Sequence, residues 1–157
     1  MTNSPQVEKY WQDFLATLPD DEPQPTEYEA WGFGDSPEMA DGLGDLVVRG
    51  IKHATASLAW EYEADGDPIP QAGDYSVILD GQDNPICIIQ TTDIQIKPFN
   101  EVDPEFAAAE GEGDRSLRYW REAHWEFFSR SCKRIGKPID ENMPVVCERF
   151  KVVYPVP

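Results

Sequence analysis

Two apolar runs separated by a knot of turn residues constrain this chain more than any other feature. Asp74-Tyr75-Ser76-Val77-Ile78-Leu79 and Ile86-Cys87-Ile88-Ile89-Gln90-Thr91-Thr92 flank a loop holding Gly81, Asp83, Asn84 and Pro85. That pattern predicts a β-hairpin. Ile94-Gln95-Ile96-Lys97 can extend the sheet, and Val145 to Tyr154 reads as a final strand. Helices frame these strands. Val7, Tyr10, Trp11, Phe14, Leu15 and Leu18 recur at helical spacing from about Pro5 until Pro19 stops them. Ser36-Pro37-Glu38 opens a second helix, with Ser as N-cap and Pro at the first helical position. Met39, Leu43, Leu46 and Val47 form its buried stripe, and Gly50 ends it. A long helix covers about Ser116 to Ile135, apolar along Leu117, Trp120, His124 and Phe127/Phe128, and closed by Gly136 and Pro138. Asp103-Pro104-Glu105 opens a short helical piece, Trp31 to Asp35 reads as irregular, and Ala54 to Ala64 fits either helix or strand. Helices, then antiparallel strands, then one helix before the last strand make an α+β domain: a small, mostly antiparallel sheet or barrel flanked by helices. The late strand is expected to close the sheet and leave a cavity between barrel and helices.

Charge narrows the partners. A net charge of −17 repels phosphate backbones over much of the surface and makes duplex nucleic acid an unlikely partner. The charge is uneven. Residues 1–50 hold only Lys9 and Arg49 against eleven carboxylates, while 115–137 carry seven of the thirteen basic residues. One local basic zone suits a small anionic ligand or a flexible strand; the same residues also suit a solvated helix face with pairs such as Arg118 and Glu122. No apolar run of about 18 residues exists, so no membrane span is expected. Met1-Thr2-Asn3-Ser4-Pro5 lacks the basic start and apolar core of a signal peptide. Cys87, Cys132 and Cys147 are an odd set without CxxC spacing, consistent with reduced thiols in the cytoplasm. Cys87 and Cys147 lie in strand-like runs and read as small core residues. Two histidines without metal-ligand spacing predict no metal site, and no cofactor is expected.

One short motif carries chemistry. Gly50-Ile51-Lys52-His53-Ala54-Thr55 sets a lysine and a threonine three residues apart, just past a helix end. In a tight turn the two can face the same way; in a strand they point to opposite faces. A threonine hydroxyl becomes a nucleophile when a base takes its proton, and lysine serves as base only if burial lowers its pKa.

With the elements in order, the chain resembles the ASCH-domain family within the PUA-like barrel group, in its small stand-alone bacterial branch. The resemblance covers roughly residues 30–155, which leaves 1–29 as an N-terminal helical extension of a single domain over 1–157. Gly50-x-Lys52-x-x-Thr55 looks like the family's G-x-K-x-x-T-x-R signature. Gly73-Asp74 matches the entry to its first long strand, and Ala109-Glu110-Gly111-Glu112-Gly113 followed by Trp120 and His124 resembles the acidic segment and helix beyond. One position departs: Ser57 stands where the signature has arginine. Arg115 or Arg118 could stand in for it.

The resemblance implies a small PUA-like barrel and one of three functions. Some ASCH proteins are similar to amidohydrolases that deacetylate N4-acetylcytidine with a lysine, a threonine and a glutamate. Carried over, Lys52 is the base, Thr55 the nucleophile and Glu112 the residue that orients Lys52 and shuttles a proton, with Glu110 the rival for that place. Backbone N–H groups of the Gly50–Thr55 turn are the expected oxyanion donors. Other members are proposed to cleave single-stranded RNA, which here would use Lys52 with Arg115 or Arg118 for charge and Glu112 or His124 for proton transfer. The third reading is a non-catalytic module binding RNA or a nucleotide. Trp60 and Tyr62, just beyond the signature, are candidate pocket walls, whereas Trp31 and Phe33 read as core and His124 as structural. Glu148 shares a strand face with Val146, Phe150 and Val152; facing inward it needs a partner and marks a site, and on an edge it is simply solvated.

Overall fold

The hairpin forms the centre of the molecule. In the computed structural model, which describes residues 4–155, five strands form one sheet: β1 (Glu29–Trp31), β2 (Ala54–Leu58), β3 (Tyr75–Leu79), β4 (Pro85–Pro98) and β5 (Pro144–Tyr154). Of the N-terminal stretch read for a leader, residues 1–3 lie outside the described residues. The spatial order is β1-β3-β4-β5-β2. β3/β4, β4/β5 and β5/β2 are antiparallel, and β1 pairs with β3 in parallel. The sheet is therefore mixed and curled, a half-barrel with β1 and β2 at its edges. β5 does not close it; it runs through the interior between β4 and β2.

Among the described residues five α-helices and one turn of 3-10 helix (Phe99–Glu101) complete the fold: α1 (Pro5–Leu15), α2 (Pro37–Val48), α3 (Ala59–Asp65), α4 (Pro104–Glu110) and α5 (Leu117–Ile135). Their starts are set by side-chain caps. Ser36 Oγ accepts from Met39 N–H at 3.2 Å, Asp103 Oδ1 from Phe106 N–H at 2.8 Å and Ser116 Oγ from Tyr119 N–H at 3.0 Å. α1 stops three residues earlier than its apolar spacing suggests. Thr17 and Leu18 N–H reach back to Phe14 and Leu15 carbonyls in turns, because the residue before Pro19 is driven out of the helical region.

Two segments resolve differently from their local pattern. Glu29–Trp31, read as irregular at its end, is a three-residue strand whose order comes from pairing with Ser76 to Ile78. The ambiguous stretch after Ala54 is both things: a strand to Leu58, then a helix that ends at Gly66. Ile94–Lys97 belongs to β4, which at 14 residues is the longest strand.

Strand alternation sorts the core onto two faces. Ala54, Leu58, Val145 and Cys147 point to α4 and α5, where they pack with Phe106, Trp120, Phe128 and Met143. On the other face Ile78, Cys87, Ile89 and Phe150 meet Phe33 and Val47 of the α2 layer. α1 buries Val7, Trp11 and Phe14 over Val77 and Ile88. All three cysteines are buried and free. Among the described residues no helix is long and apolar enough to cross a membrane.

Candidate functional site

The turn between α2 and β2 drives Lys52 into the protein. Gly50 takes φ +77°, and the N–H groups of Ile51 and Lys52 both bond the Leu46 carbonyl at 2.9 and 3.1 Å. His53 N–H then bonds Ala109 O at 2.9 Å, which ties the turn to the end of α4. These bonds correct one expectation. The N–H groups of Gly50 to His53 are all committed to carbonyls, so none of these four is a spare donor for an oxyanion.

Lys52 is 1% exposed, and its ammonium lies 3.0 Å from Glu110 Oε1 and 2.9 Å from Glu112 Oε2. The Glu-Gly-Glu sequence makes that convergence possible. Gly111 ends α4 at φ +69°, and a Cβ there would fall 2.4 Å from the Ile51 carbonyl oxygen. Only glycine fits, and the reversal it permits turns both flanking carboxylates onto one lysine.

α5 supplies the rest. Trp120 Nε1–H donates to Glu110 Oε2, and His124 Nε2 lies 3.0 Å from the same oxygen. The His124 ring stacks on Trp120 at 4.3 Å, with Nδ1 2.9 Å from the Trp120 carbonyl. A carbonyl and a carboxylate both accept, so each ring nitrogen is placed to donate, which is the imidazolium form. Burial opposes that charge, but Glu110 beside it raises the His124 pKa on balance. The same competition acts on Lys52: burial works against the ammonium, and Glu110 and Glu112 outweigh it, so its pKa lies above the ordinary value. The condition for a resting lysine base is therefore not met; Lys52 rests as a cation.

The two carboxylates differ. Burial would raise Glu110, but Lys52 and His124 hold it well below the usual carboxylate range. Glu112, 17% exposed at its side chain, is raised: burial outweighs Lys52, and the charge on Glu110 reinforces the shift. One glutamate is thus held ionised, while the other is shifted toward its protonated form. Glu110, Glu112 and His124 also offer three ligand atoms within 4.8 Å of one another. The cation among them is Lys52, which a divalent ion would have to displace.

A second group of polar side chains lies on the sheet. Thr55 is half-buried on β2 and pairs across the ladder with Glu148 on β5. Ser57 follows on the same face, its Oγ 2.9 Å from the Tyr62 hydroxyl of α3. Glu148 faces inward at 4% exposure, and its Oε2 accepts from Thr91 Oγ1 at 2.7 Å. Burial pushes its carboxyl up, Thr91 opposes that, and Asp74 and Glu29 add to it. The two groups meet through aromatic rings: Lys52 Nζ lies 5.5 Å from the Phe33 centroid, and Phe33 packs on Phe150, two residues along β5 from Glu148.

The structure brings Lys52, Glu110, Glu112 and His124 together, and separately Thr55, Ser57 and Glu148. The hydrogen bonds of Lys52 go to the two glutamates and none goes to Thr55. Neither arginine stands in for the missing one. Arg118 is exposed and paired with Glu122, and Arg115 is exposed at φ +66°. Trp60 packs toward α5 with Lys137 5.1 Å from its ring, so Tyr62 is the aromatic that joins the polar row. Sequence reasoning missed His124 as a partner of Glu110; its place one turn after Trp120 was the available signal.

Comparison with known proteins gives the family and the fold. The ASCH-domain family model matches residues 29–154, leaving α1 outside. An ASCH domain from Lactobacillus crispatus has a similar structure, with a TM-score of 0.91, 35% identity and 98% of each chain covered. A protein from Enterococcus faecalis gives a TM-score of 0.83 at 41% identity, over 94% of this chain and 87% of that one. No curated protein matches.

Proposed function

The chain belongs to the ASCH-domain family, and from that premise we propose that it hydrolyses the amide of an N4-acylated cytidine-like nucleoside. Lys52, Thr55 and Glu112 carry the reaction. The observation that supports this most is the pairing of Lys52 with two carboxylates of opposite tendency, Glu110 held ionised and Glu112 raised.

That asymmetry gives the resting ammonium a route to the base form. A proton moving along the 2.9 Å Lys52–Glu112 contact leaves a neutral amine and a carboxylic acid. When substrate draws Thr55 and Lys52 into contact, the amine takes the Thr55 proton as Oγ1 attacks the acyl carbonyl. The re-formed ammonium then stands beside the oxyanion, in place of the backbone donors that the turn has already committed. Collapse breaks the C–N bond, and Glu112 gives its proton to the leaving N4. The products are free cytidine and an acyl ester on Thr55, with Lys52 and Glu112 returned to their starting charges. Water releases the acyl group by the same steps in reverse roles. Glu110 keeps its charge throughout, and His124 and Trp120 hold it in place.

The test is hydrolysis of N4-acetylcytidine by purified protein, followed by chromatography. Wild type turns it over, Thr55→Ala loses about 1,000-fold in kcat/KM, and Glu112→Gln loses a comparable factor. Turnover should be nearly indifferent to salt, as for a neutral ligand, whereas RNA binding would weaken steeply. Absence of turnover by wild type at high enzyme concentration overturns the reading and favours the ribonuclease or binding-module alternatives.

A further inference from the structure

Glu148 is a buried acid that the hydrolysis does not use. One oxygen accepts the Thr91 hydroxyl, and its other polar neighbours are Thr55 opposite and Tyr62 beyond. Among the described residues no lysine or arginine pairs with it. Among the described residues every side-chain oxygen sealed from solvent has a hydrogen-bond partner, and Glu148 Oε1 has none, so Oε1 keeps some contact with solvent. Thr55 is the residue paired with Glu148 across the ladder. Ser57 matters here. An arginine at that position would stand on the same face, diagonal to Glu148, and would give it a cation. Serine instead bonds Tyr62 and leaves the acid unpaired.

We propose that Glu148 is the residue that recognises the nucleobase, pairing through its carboxyl with a base edge that sets a ring-nitrogen acceptor beside an exocyclic N–H donor. A carboxylic acid offers one donor and one acceptor at the spacing of such an edge; a carboxylate offers two acceptors and cannot serve it. This environment shifts the balance toward the uncharged form, since burial and the nearby Asp74 and Glu29 act against ionisation, with only the Thr91 hydroxyl opposing. With the base edge on Glu148, the exocyclic nitrogen lies beside Thr55, the strand neighbour directly across the ladder. An acyl group on that nitrogen then projects toward the Thr55 hydroxyl. The inference deepens the amidohydrolase reading but predicts binding even if no hydrolysis occurs.

The experiment is equilibrium binding of cytidine and of 3-deazacytidine, in which a C–H replaces the ring-nitrogen acceptor, measured by calorimetry on the whole protein from pH 5 to 9. The titratable groups that face Glu148 are Glu29 of β1, Asp74 before β3 and Tyr62 of α3, so each variant is compared with wild type at every pH. Wild type should prefer cytidine at least tenfold and lose affinity as pH rises. Glu148→Leu should bind both nucleosides equally weakly. Glu148→Gln, whose amide keeps one donor and one acceptor, should hold cytidine affinity within threefold and flatten its pH dependence; it also serves as the control should the leucine variant fail to fold. No preference between the two nucleosides in wild type, or a full preference retained in Glu148→Leu, overturns the proposal. Preference that depends on Glu148 without any hydrolysis of N4-acetylcytidine sinks the amidohydrolase reading alone. Hydrolysis that survives Glu148→Leu with unchanged KM sinks this one alone.

Discussion

Two buried polar regions lie a few residues apart and solve the problem of burying an acid in opposite ways. In the first, Lys52 and His124 meet Glu110 and Glu112, so cationic partners surround the carboxylates. In the second, Glu148 has only hydroxyls, from Thr91 directly and from Thr55 and Tyr62 nearby. The first region keeps Glu110 ionised and the second drives Glu148 toward the neutral acid. Dehydration costs the charged form in both; what differs is whether a counter-charge offsets it. A shared environment of packed aromatics thus yields one carboxylate that stays an anion and another suited to donate a hydrogen bond.

The sharpest way to break this contrast is to remove the hub of the first region. Glu110→Leu leaves Lys52, His124 and the Trp120 N–H facing an apolar side chain, and should cost about 3–5 kcal/mol of stability by urea unfolding. If the loss stays below about 1 kcal/mol, the cluster is not a mutually compensated set, and the contrast with Glu148 fails.

Acid and base titration of stability separates the regions next. Glu110 has a lowered folded pKa, so its contribution is complete above the ordinary value of 4.5 and is lost as pH falls through the folded value. His124 is raised, so its contribution is complete below 6.5 and fades as pH climbs through its folded pKa. The contributions of Glu110 and His124 are therefore both complete between those limits. Glu148 is raised, so it costs stability progressively as pH rises from 4.5 toward neutrality and beyond. Urea midpoints of Glu148→Gln should exceed wild type at pH 8 and match it at pH 4. A variant that matches wild type at pH 8 as well would show that Glu148 ionises at no cost.

The smallest effect on stability sharpens the comparison instead. Ser57→Arg places a cation diagonal to Glu148 and should change stability by under about 1 kcal/mol while sacrificing the Tyr62 bond. It turns the second region into a version of the first: cytidine affinity should fall about tenfold and its pH dependence should vanish. Unchanged affinity would mean that Ser57 has no part in keeping Glu148 uncharged.

Some of this was legible before any coordinates. The hairpin, the capped start at Ser36-Pro37, the long helix from Ser116 and the last strand all come from periodicities and caps that act over one or two turns. Gly50-x-Lys52-x-x-Thr55 and Ala109-Glu110-Gly111-Glu112 were visible as motifs, and the resemblance they carry led to the right family and to a mostly antiparallel fold. β1 was not legible, because three residues are too few to show alternation and their order depends on a partner 47 positions away, as in Glu29 with Ser76. Nor could the role of Glu148 be settled, since inward and edge placements give the same sequence pattern.

What the sequence determined alone was the set of elements and the residue types available for chemistry: one buried-capable lysine beside a threonine, paired glutamates around a glycine, and an acid where the last strand alternates. Tertiary structure decided their charges. Lys52 rests as a cation because the end of α4 and the turn after it bring Glu110 and Glu112 from about sixty residues away. His124 became an ion-pair partner because α5 lays it against Glu110, and Glu148 has no cationic partner among the described residues because the strands beside it bring the hydroxyls of Thr91 and Thr55 instead. Local propensity fixes where a side chain points along its own element; the ionisation of a buried group depends on what other elements bring within a few ångströms of it, and that is set only when the chain has folded.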